Sequence, residues 1–244
     1  MTTKKVALIT GANKGIGFEA AKQLAALDYF VFIGSRDKSK GLQAEEQLKS
    51  FGFADVASLE IDVTSTPSIE KAKEVLQSRV PQLDVLVNNA GIGGEMPQNA
   101  STISLANIRA VYETNFFGVI QVTQHFLDLL KKSDEPRIVN VSSDLGSLTN
   151  HRNPVYPFYE TKLTAYCSSK TALNAFTVML AHELKEDKRF KINSVNPGFT
   201  ATDLNHFSGT QTIAQGTAAI VKYATIDKDG PTGGFFSAEG EIAW

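Results

Sequence analysis

The chain has 244 residues, a formal net charge of −2 and a single cysteine, Cys167. That balance gives no electrostatic case for nucleic acid or an anionic membrane surface, and one cysteine excludes an internal disulfide and fits a reducing compartment. No apolar run approaches the roughly 18 residues of a membrane helix, and the start MTTKK has no signal-peptide core, so the composition points to a globular cytoplasmic protein.

Short apolar runs alternate with longer amphipathic ones. Residues 5–10 (KVALIT) read as a buried strand and 16–27 as a helix. Residues 30–34 form a second strand, and 38–51 a charged helix. A third strand spans 56–61, with a helix over about 68–79, and a fourth spans 84–87. Helical pattern fills 104–130. Residues 137–141 are a fifth strand, 164–184 a long helix, 191–195 a sixth strand and 234–236 a short seventh. No element is assigned between 195 and 234, where 203–212 reads as a loop able to act as a lid. Strands apolar on both faces imply a parallel sheet covered by helices, and the βαβαβ order implies a doubly wound α/β fold in one domain over 1–244. Such sheets bind ligands beyond the carboxyl ends of their strands.

After the first strand comes Thr10-Gly11-Ala12-Asn13-Lys14-Gly15-Ile16-Gly17. Glycines there let the backbone approach a phosphate, and the helix that follows directs its N–H groups at the anion. The spacing is GxxxGxG, neither the GxGxxG fingerprint nor an NTPase loop ending in GK[ST]. At the end of the second strand Ser35 stands where an NAD site wants a carboxylate, and Arg36 follows. A guanidinium fork suits a 2′-phosphate, and Lys14, Lys38 or Lys40 could assist it. The competing assignment makes Arg36 a solvated loop residue and Asp37 the ribose ligand. NADPH/NADP is the expected cofactor. Asp62-Val63 after the third strand is placed to meet the adenine amino group, or else Asp62 is an ordinary cap or loop residue. Asn88, Asn89, Ala90 and Gly91 follow the fourth strand, where small residues let it pass a ribose; part of this motif serves the loop itself.

Tyr166 and Lys170 are four residues apart on one helix face. A tyrosine alone is a poor acid–base group at pH 7, and a neighbouring ammonium favours its phenolate. None of the other tyrosines has a lysine four residues on. Ser142-Ser143 ends the fifth strand, where a hydroxyl could polarise a carbonyl oxygen. A serine hydrolase would need a nucleophile elbow, and NVSSDLG is not one. No HExxH or cysteine/histidine cluster suggests a metal.

Together TGANKGIG (10–17), NNAG (88–91), Asn115 in ETNFFG, VSS (141–143), YCSSK (166–170) and NPGFTAT (196–202) resemble the short-chain dehydrogenase/reductase family, in family order over nearly the whole chain. The resemblance implies a Rossmann fold with a seven-stranded parallel sheet. It implies that Tyr166 is the general acid of carbonyl reduction, that Ser143 holds the substrate oxygen, that Lys170 binds the nicotinamide ribose and lowers the Tyr166 pKa, and that Asn115 holds a water in a proton relay. Pro197, Gly198, Thr200 and Thr202 would line the nicotinamide. Within the family the chain is similar to the NADPH-dependent carbonyl reductase branch. The Ser143-to-Tyr166 connection is longer than is common in the family but shorter than the insertion of animal and plant members; it is expected to flank or cap the substrate pocket, the alternative being a surface loop with a few buried aromatics. The implied partner is a small-molecule carbonyl substrate. A homodimer, a homotetramer and a monomer all remain open. The alternatives to reduction are oxidation of a secondary alcohol and a non-catalytic NADP(H) sensor.

Overall fold

Seven parallel strands in the order β3-β2-β1-β4-β5-β6-β7 carry the fold of this computed structural model, which describes residues 4–244. Residues 1–3, part of the start MTTKK, lie outside the described residues. The strands are β1 Val6–Ile9, β2 Phe30–Ser35, β3 Val56–Glu60, β4 Val85–Asn88, β5 Arg137–Val141, β6 Lys191–Val195 and β7 Phe235–Phe236. The helices are α1 Gly15–Ala26, α2 Lys38–Ser50, α3 Thr66–Gln77, α4 Leu105–Tyr112, α5 Gly118–Leu130, α6 Leu148–His151, α7 Thr164–Glu183 and α8 Ile213–Ala224.

Alternation along each strand sorts the core into two layers. Leu8, Phe32, Leu86, Ile138 and Ile192 face α3, α5 and α7, which contribute Ile69, Phe126 and Leu180. Ile9, Val31, Val87, Val139 and Val195 face α1, α2 and α8, which contribute Leu24, Leu48 and Ile220. Both faces of the sheet are therefore dry, which is why its strands read as continuous apolar runs.

Two expectations need correction. The helix expected over 104–130 is two helices joined by a π-helical turn at Glu113–Phe117. Asn115, fully buried, sits inside that turn and bonds the loop after β4 and Ser169 of α7, so tertiary hydrogen bonds reshape the helix where its apolar period continues. The stretch without an assigned element contains α8, which packs on α1 and completes the second layer. Its first turn is capped by Thr212, whose Oγ accepts from the Gln215 N–H at 3.3 Å.

The sheet reverses its winding between β1 and β4, and there the two strand ends are tied together. Thr10 Oγ1 accepts from the N–H groups of Asn89 and Ala90, both at 3.0 Å. Asn89 Nδ2 returns hydrogen bonds to the carbonyls of Thr10 at 2.8 Å and Gly11 at 3.1 Å. The approach leaves no room for side chains: a Cβ on Gly17 would lie 2.5 Å from Asn89 Nδ2 and 2.6 Å from the Gly11 carbonyl oxygen. Gly17→Ala is therefore expected to destabilise the protein by about 1–3 kcal/mol through overpacking, seen as a lower urea midpoint at unchanged slope. An unchanged midpoint would mean that this crossing yields freely.

Candidate active site and dinucleotide cleft

β5 delivers Ser142 and Ser143 to the carboxyl edge of the sheet. Ser143 is 8% exposed; its Oγ accepts from the Leu145 N–H at 3.2 Å and donates to the Asp144 carboxylate at 3.3 Å. α7 brings in Tyr166 and Lys170. Its N-terminus has no cap from its own first residue, and Gln98 from the loop after β4 takes that place. Gln98 Oε1 accepts from the backbone N–H groups of Ala165 at 3.1 Å and Tyr166 at 3.2 Å, and its Nε2 donates to the Gly93 carbonyl at 2.6 Å. Gln98 thus fixes where α7 begins. No local pattern around it in the sequence signals this role.

Lys170 is 5% exposed and donates to the Val141 carbonyl at 2.8 Å, with its Nζ 5.8 Å from the centre of the Tyr166 ring. Asn115 Oδ1 accepts from the Ile92 N–H at 2.9 Å, and its Nδ2 donates to the Ile92 carbonyl at 3.0 Å and to Ser169 Oγ at 3.1 Å. Both amide hydrogens are engaged, which leaves a lone pair of Oδ1 as the side chain's remaining capacity for a water. The structure thus gathers Asn115, Ser143, Tyr166 and Lys170 at one end of the sheet, at the ends of β4 and β5.

Burial governs ionisation here. It pushes the Tyr166 phenol up to about 12, against the Ser143 hydroxyl, which favours the phenolate. It pushes Lys170 down from 10.5 to about 8. The expectation that the Lys170 ammonium lowers the Tyr166 pKa is thus reversed in net direction in the protein alone, because desolvation penalises both charged forms. At neutral pH Tyr166 keeps its proton.

The glycine turn opens onto α1, whose N-terminus at Lys14 has no side-chain cap, so its first N–H groups are free for an anion. Gly11 and Gly15 take left-handed φ values of 64° and 59°. Beside Gly15 the nearest atom to an added Cβ is Thr202 Cγ2 at 3.9 Å, which leaves an open cradle. Asn13 lies in the same turn, and Ile16 packs against the α1-side core. Lys14 pairs with Asp203 at 3.1 Å, linking the turn to the segment after β6. Leu204 of that segment reaches Gly93 on the far side of the cleft, 3.8 Å from where its Cβ would lie.

At the end of β2, Ser35 is buried and donates to the Asp37 carbonyl at 2.8 Å. The Asp37 carboxylate caps α2, accepting from the Lys40 N–H at 3.1 Å, and that hydrogen bond holds its pKa below the usual carboxylate range. The competing ribose ligand is therefore occupied, while Arg36 is exposed and forms no ion pair among the described residues. Asp62 closes its own turn, accepting from the Thr64 N–H at 2.9 Å and hydroxyl at 2.7 Å, and Val63 packs on Gly118. Gly91 passes Lys170, whose Nζ would lie 3.7 Å from a Cβ there. After β6, Gly198 (φ 73°) follows Pro197. Thr200 is buried, its hydroxyl donating to the Pro197 carbonyl at 3.0 Å, so that side chain serves the loop, whereas Thr202 faces the glycine turn. An open helix N-terminus, a glycine cradle and a basic residue at the end of β2 fit a phosphorylated dinucleotide. Among the described residues no group of three or more His, Cys, Asp or Glu side chains could hold a metal, and no helix is long and apolar enough to cross a membrane.

A family profile described as short chain dehydrogenase matches residues 5–212. The (+)-neomenthol dehydrogenase of Arabidopsis thaliana is 33% identical over 288 aligned positions, covering 96% of each chain. Salutaridine reductase of Papaver bracteatum is 32% identical, covering 97% of this chain and 95% of its own. Among solved structures, the NADPH-bound carbonyl reductase from chicken fatty liver superposes with a TM-score of 0.84 at 27% identity, covering all of both chains.

The Lys170 shift gives a stability test with a definite sign. The unfolded chain holds this proton to about pH 10.5 and the folded chain only to about 8, so burying the charge costs stability below pH 8 and the cost fades between those values. At about 1.4 kcal/mol per pH unit the cost is roughly 3 kcal/mol. Leaving the Val141 carbonyl unpaired returns about 1. Lys170→Met should thus stabilise the fold at pH 7 by on the order of 2 kcal/mol in urea titrations, with the gain shrinking towards pH 10. A gain that stays constant with pH would contradict this origin.

Proposed function

The chain belongs to the short-chain dehydrogenase/reductase family of oxidoreductases, and from that premise we propose that it reduces a ketone or aldehyde with NADPH, Tyr166 giving the proton. The observation that carries this reading is the half-buried, protonated Tyr166 beside the buried Ser143, with buried Lys170 on the same helix face. When bound, NADPH supplies the hydride. Ser143 and Tyr166 donate hydrogen bonds to the carbonyl oxygen and stabilise the charge it gains, and donors fixed in place before reaction do this without reorganisation. Lys170 holds the nicotinamide ribose, and Asn115 keeps the loop after β4 and α7 in register around it. At neutral pH the phenol is in its donor form.

The open N-terminus of α1, with Gly11, Gly15 and Gly17, would hold the pyrophosphate of a dinucleotide. Arg36, assisted by Lys14 once it leaves Asp203, takes the 2′-phosphate, because Ser35 offers no carboxylate and Asp37 is committed to α2. The NADPH-bound chicken carbonyl reductase supports the same preference.

Two measurements test the reading. Tyr166→Phe should lower kcat for carbonyl reduction at least a hundred-fold, the scale of a lost general acid, while the NADPH Kd stays within about two-fold of wild type; retained turnover refutes the role. Arg36→Ala should weaken NADPH binding about ten-fold or more, as loss of a charge-assisted contact of about 1.5–3 kcal/mol does, and leave NADH binding unchanged. Equal losses for both cofactors would place Arg36 away from the 2′-phosphate.

A further inference from the structure

The first turn of α7 is held from outside the helix, and almost wholly by one residue. Leu163, the position before the turn, offers no side-chain acceptor. The backbone carbonyl of Gln98 accepts from the Thr164 N–H at 3.2 Å. Its Oε1 accepts from the Ala165 N–H at 3.1 Å and from the Tyr166 N–H at 3.2 Å. The next N–H, of Cys167, donates to the Leu163 carbonyl at 2.7 Å. A helix start leaves its first N–H groups without partners inside the helix. Here those of Thr164, Ala165 and Tyr166 all go to Gln98, and the last of them belongs to the proton donor.

Gln98 is itself fixed. It is 3% exposed, and its Nε2 donates to the Gly93 carbonyl at 2.6 Å. The loop that carries it is gripped at Ile92 by Asn115 and at Glu95 by Asn107, whose Oδ1 accepts from the Glu95 N–H at 3.0 Å and whose Nδ2 donates to the Glu95 carbonyl at 2.8 Å. Between them Gly94 takes a φ of 80°, and a Cβ there would lie 2.8 Å from Asn107 Oδ1 and 3.0 Å from Gln98 Nε2, so the absent side chain makes room for both amides. The second turn of α7 has separate ties. Asn115 Nδ2 donates to Ser169 Oγ at 3.1 Å, and Lys170 Nζ donates to the Val141 carbonyl at 2.8 Å. Neither tie passes through Gln98.

We propose that Gln98 is a positioning residue for proton transfer: by holding the N–H groups of Ala165 and Tyr166 to the loop after β4, it sets where the Tyr166 hydroxyl stands, and it does so independently of Lys170. The inference rests on the reductase reading above and adds a residue 68 positions away in sequence on which the donor's placement depends. Gln98 acts only through Tyr166. Without its side chain two N–H groups lose their acceptor and the first turn frays, as helix starts do when a cap is removed. Tyr166 then leaves its place beside Ser143, while Lys170 keeps its own hold one turn on. Misplacing a reacting group by about 1 Å costs on the order of a hundred-fold in rate, so the loss falls on turnover and spares cofactor binding.

Gln98→Met tests this, since it keeps the length of the side chain and removes its hydrogen bonds. With whichever of butanal, cyclohexanone and acetophenone the wild type reduces, kcat should fall at least about ten-fold while the NADPH Kd stays within about two-fold. Amide hydrogen exchange should quicken at Ala165 and Tyr166 and stay as in wild type beyond Lys170. Adding Leu163→Asp gives α7 a cap of its own and should restore both the slow exchange and kcat. An unchanged kcat overturns the proposal. So do equal losses of kcat and NADPH affinity, or faster exchange along the whole of α7, which mark a merely structural role. Exchange restored by Leu163→Asp without any recovery of kcat overturns it as well, because the hold on the first turn would then not set the rate. If the wild type reduces none of the carbonyls while the exchange contrast persists, the reductase reading fails and the cap assignment stands. Turnover that is indifferent to Gln98→Met sinks the positioning role alone.

Discussion

The close crossing at the ends of β1 and β4 is the constraint on which the rest of the molecule depends. Thr10, Asn89 and Ala90 join the two strand ends by hydrogen bonds between loops that are far apart in sequence. Gly11 and Gly17 let them close to backbone contact, because any Cβ would strike Ala90 or Asn89. This junction aims the first turn of α1 at the cleft and sends the following loop past Lys170 and Asn115. The loop then reaches Gln98, which sets the first turn of α7 and so the height of Tyr166. One hydroxyl and two absent side chains thereby locate both the glycine turn and Tyr166.

The same closure removes water, and this determines what the charged groups can do. Dry surroundings disfavour the Lys170 ammonium and the Tyr166 phenolate alike. Simple pairing of a lysine with a tyrosine four residues away argues for a lowered phenol pKa, yet the two sit 5.8 Å apart, centroid to Nζ, and Lys170 spends a hydrogen bond on Val141. Desolvation of Tyr166 outweighs the support that the Ser143 hydroxyl gives its phenolate. The outcome leaves Tyr166 protonated and neutral at pH 7. Stability is sacrificed at Lys170, since a buried ammonium is a poor core residue.

Much of this was legible in the sequence, for physical reasons that differ by element. The strands were plain because both sheet faces are covered, and β-rich apolar runs such as KVALI and RIVNV have few alternatives. The glycine turn and YCSSK were plain because their spacing encodes geometry. The π turn at Glu113–Phe117 was hidden because its cause is the grip of Asn115 on Ile92 and Ser169, contacts that no local pattern carries. α8 was missed although its apolar residues keep a clear helical period; its buried Gly216 and Thr217 are weak helix formers. Gln98 left no trace, since a lone glutamine in a loop becomes a helix cap only after the fold has formed. Local physics thus revealed the parts that propensity and spacing specify, and missed the side chains whose roles arise from long-range hydrogen bonds.

That division has a structural counterpart within the site. The groups assigned to the chemistry stand on strand ends and α7, held by the β1–β4 junction and by Gln98, and they are nearly all buried. Residues 144–163 form a connection anchored through carbonyls of Ala243 and Trp244 and through His151 and Lys162, with Val155 at its turn 85% exposed. A rigid frame is needed where a proton and a hydride must meet, because small misplacements there cost large factors in rate. A connection pinned at its ends tolerates changes of sequence and length between them, as surface loops do. The 288-position alignment with the Arabidopsis relative exceeds the 244 residues of this chain, so that relative carries residues without counterpart here. The frame that holds Ser143, Tyr166 and Lys170 is therefore separable in this architecture from the connection, whose sequence and length can change without moving it.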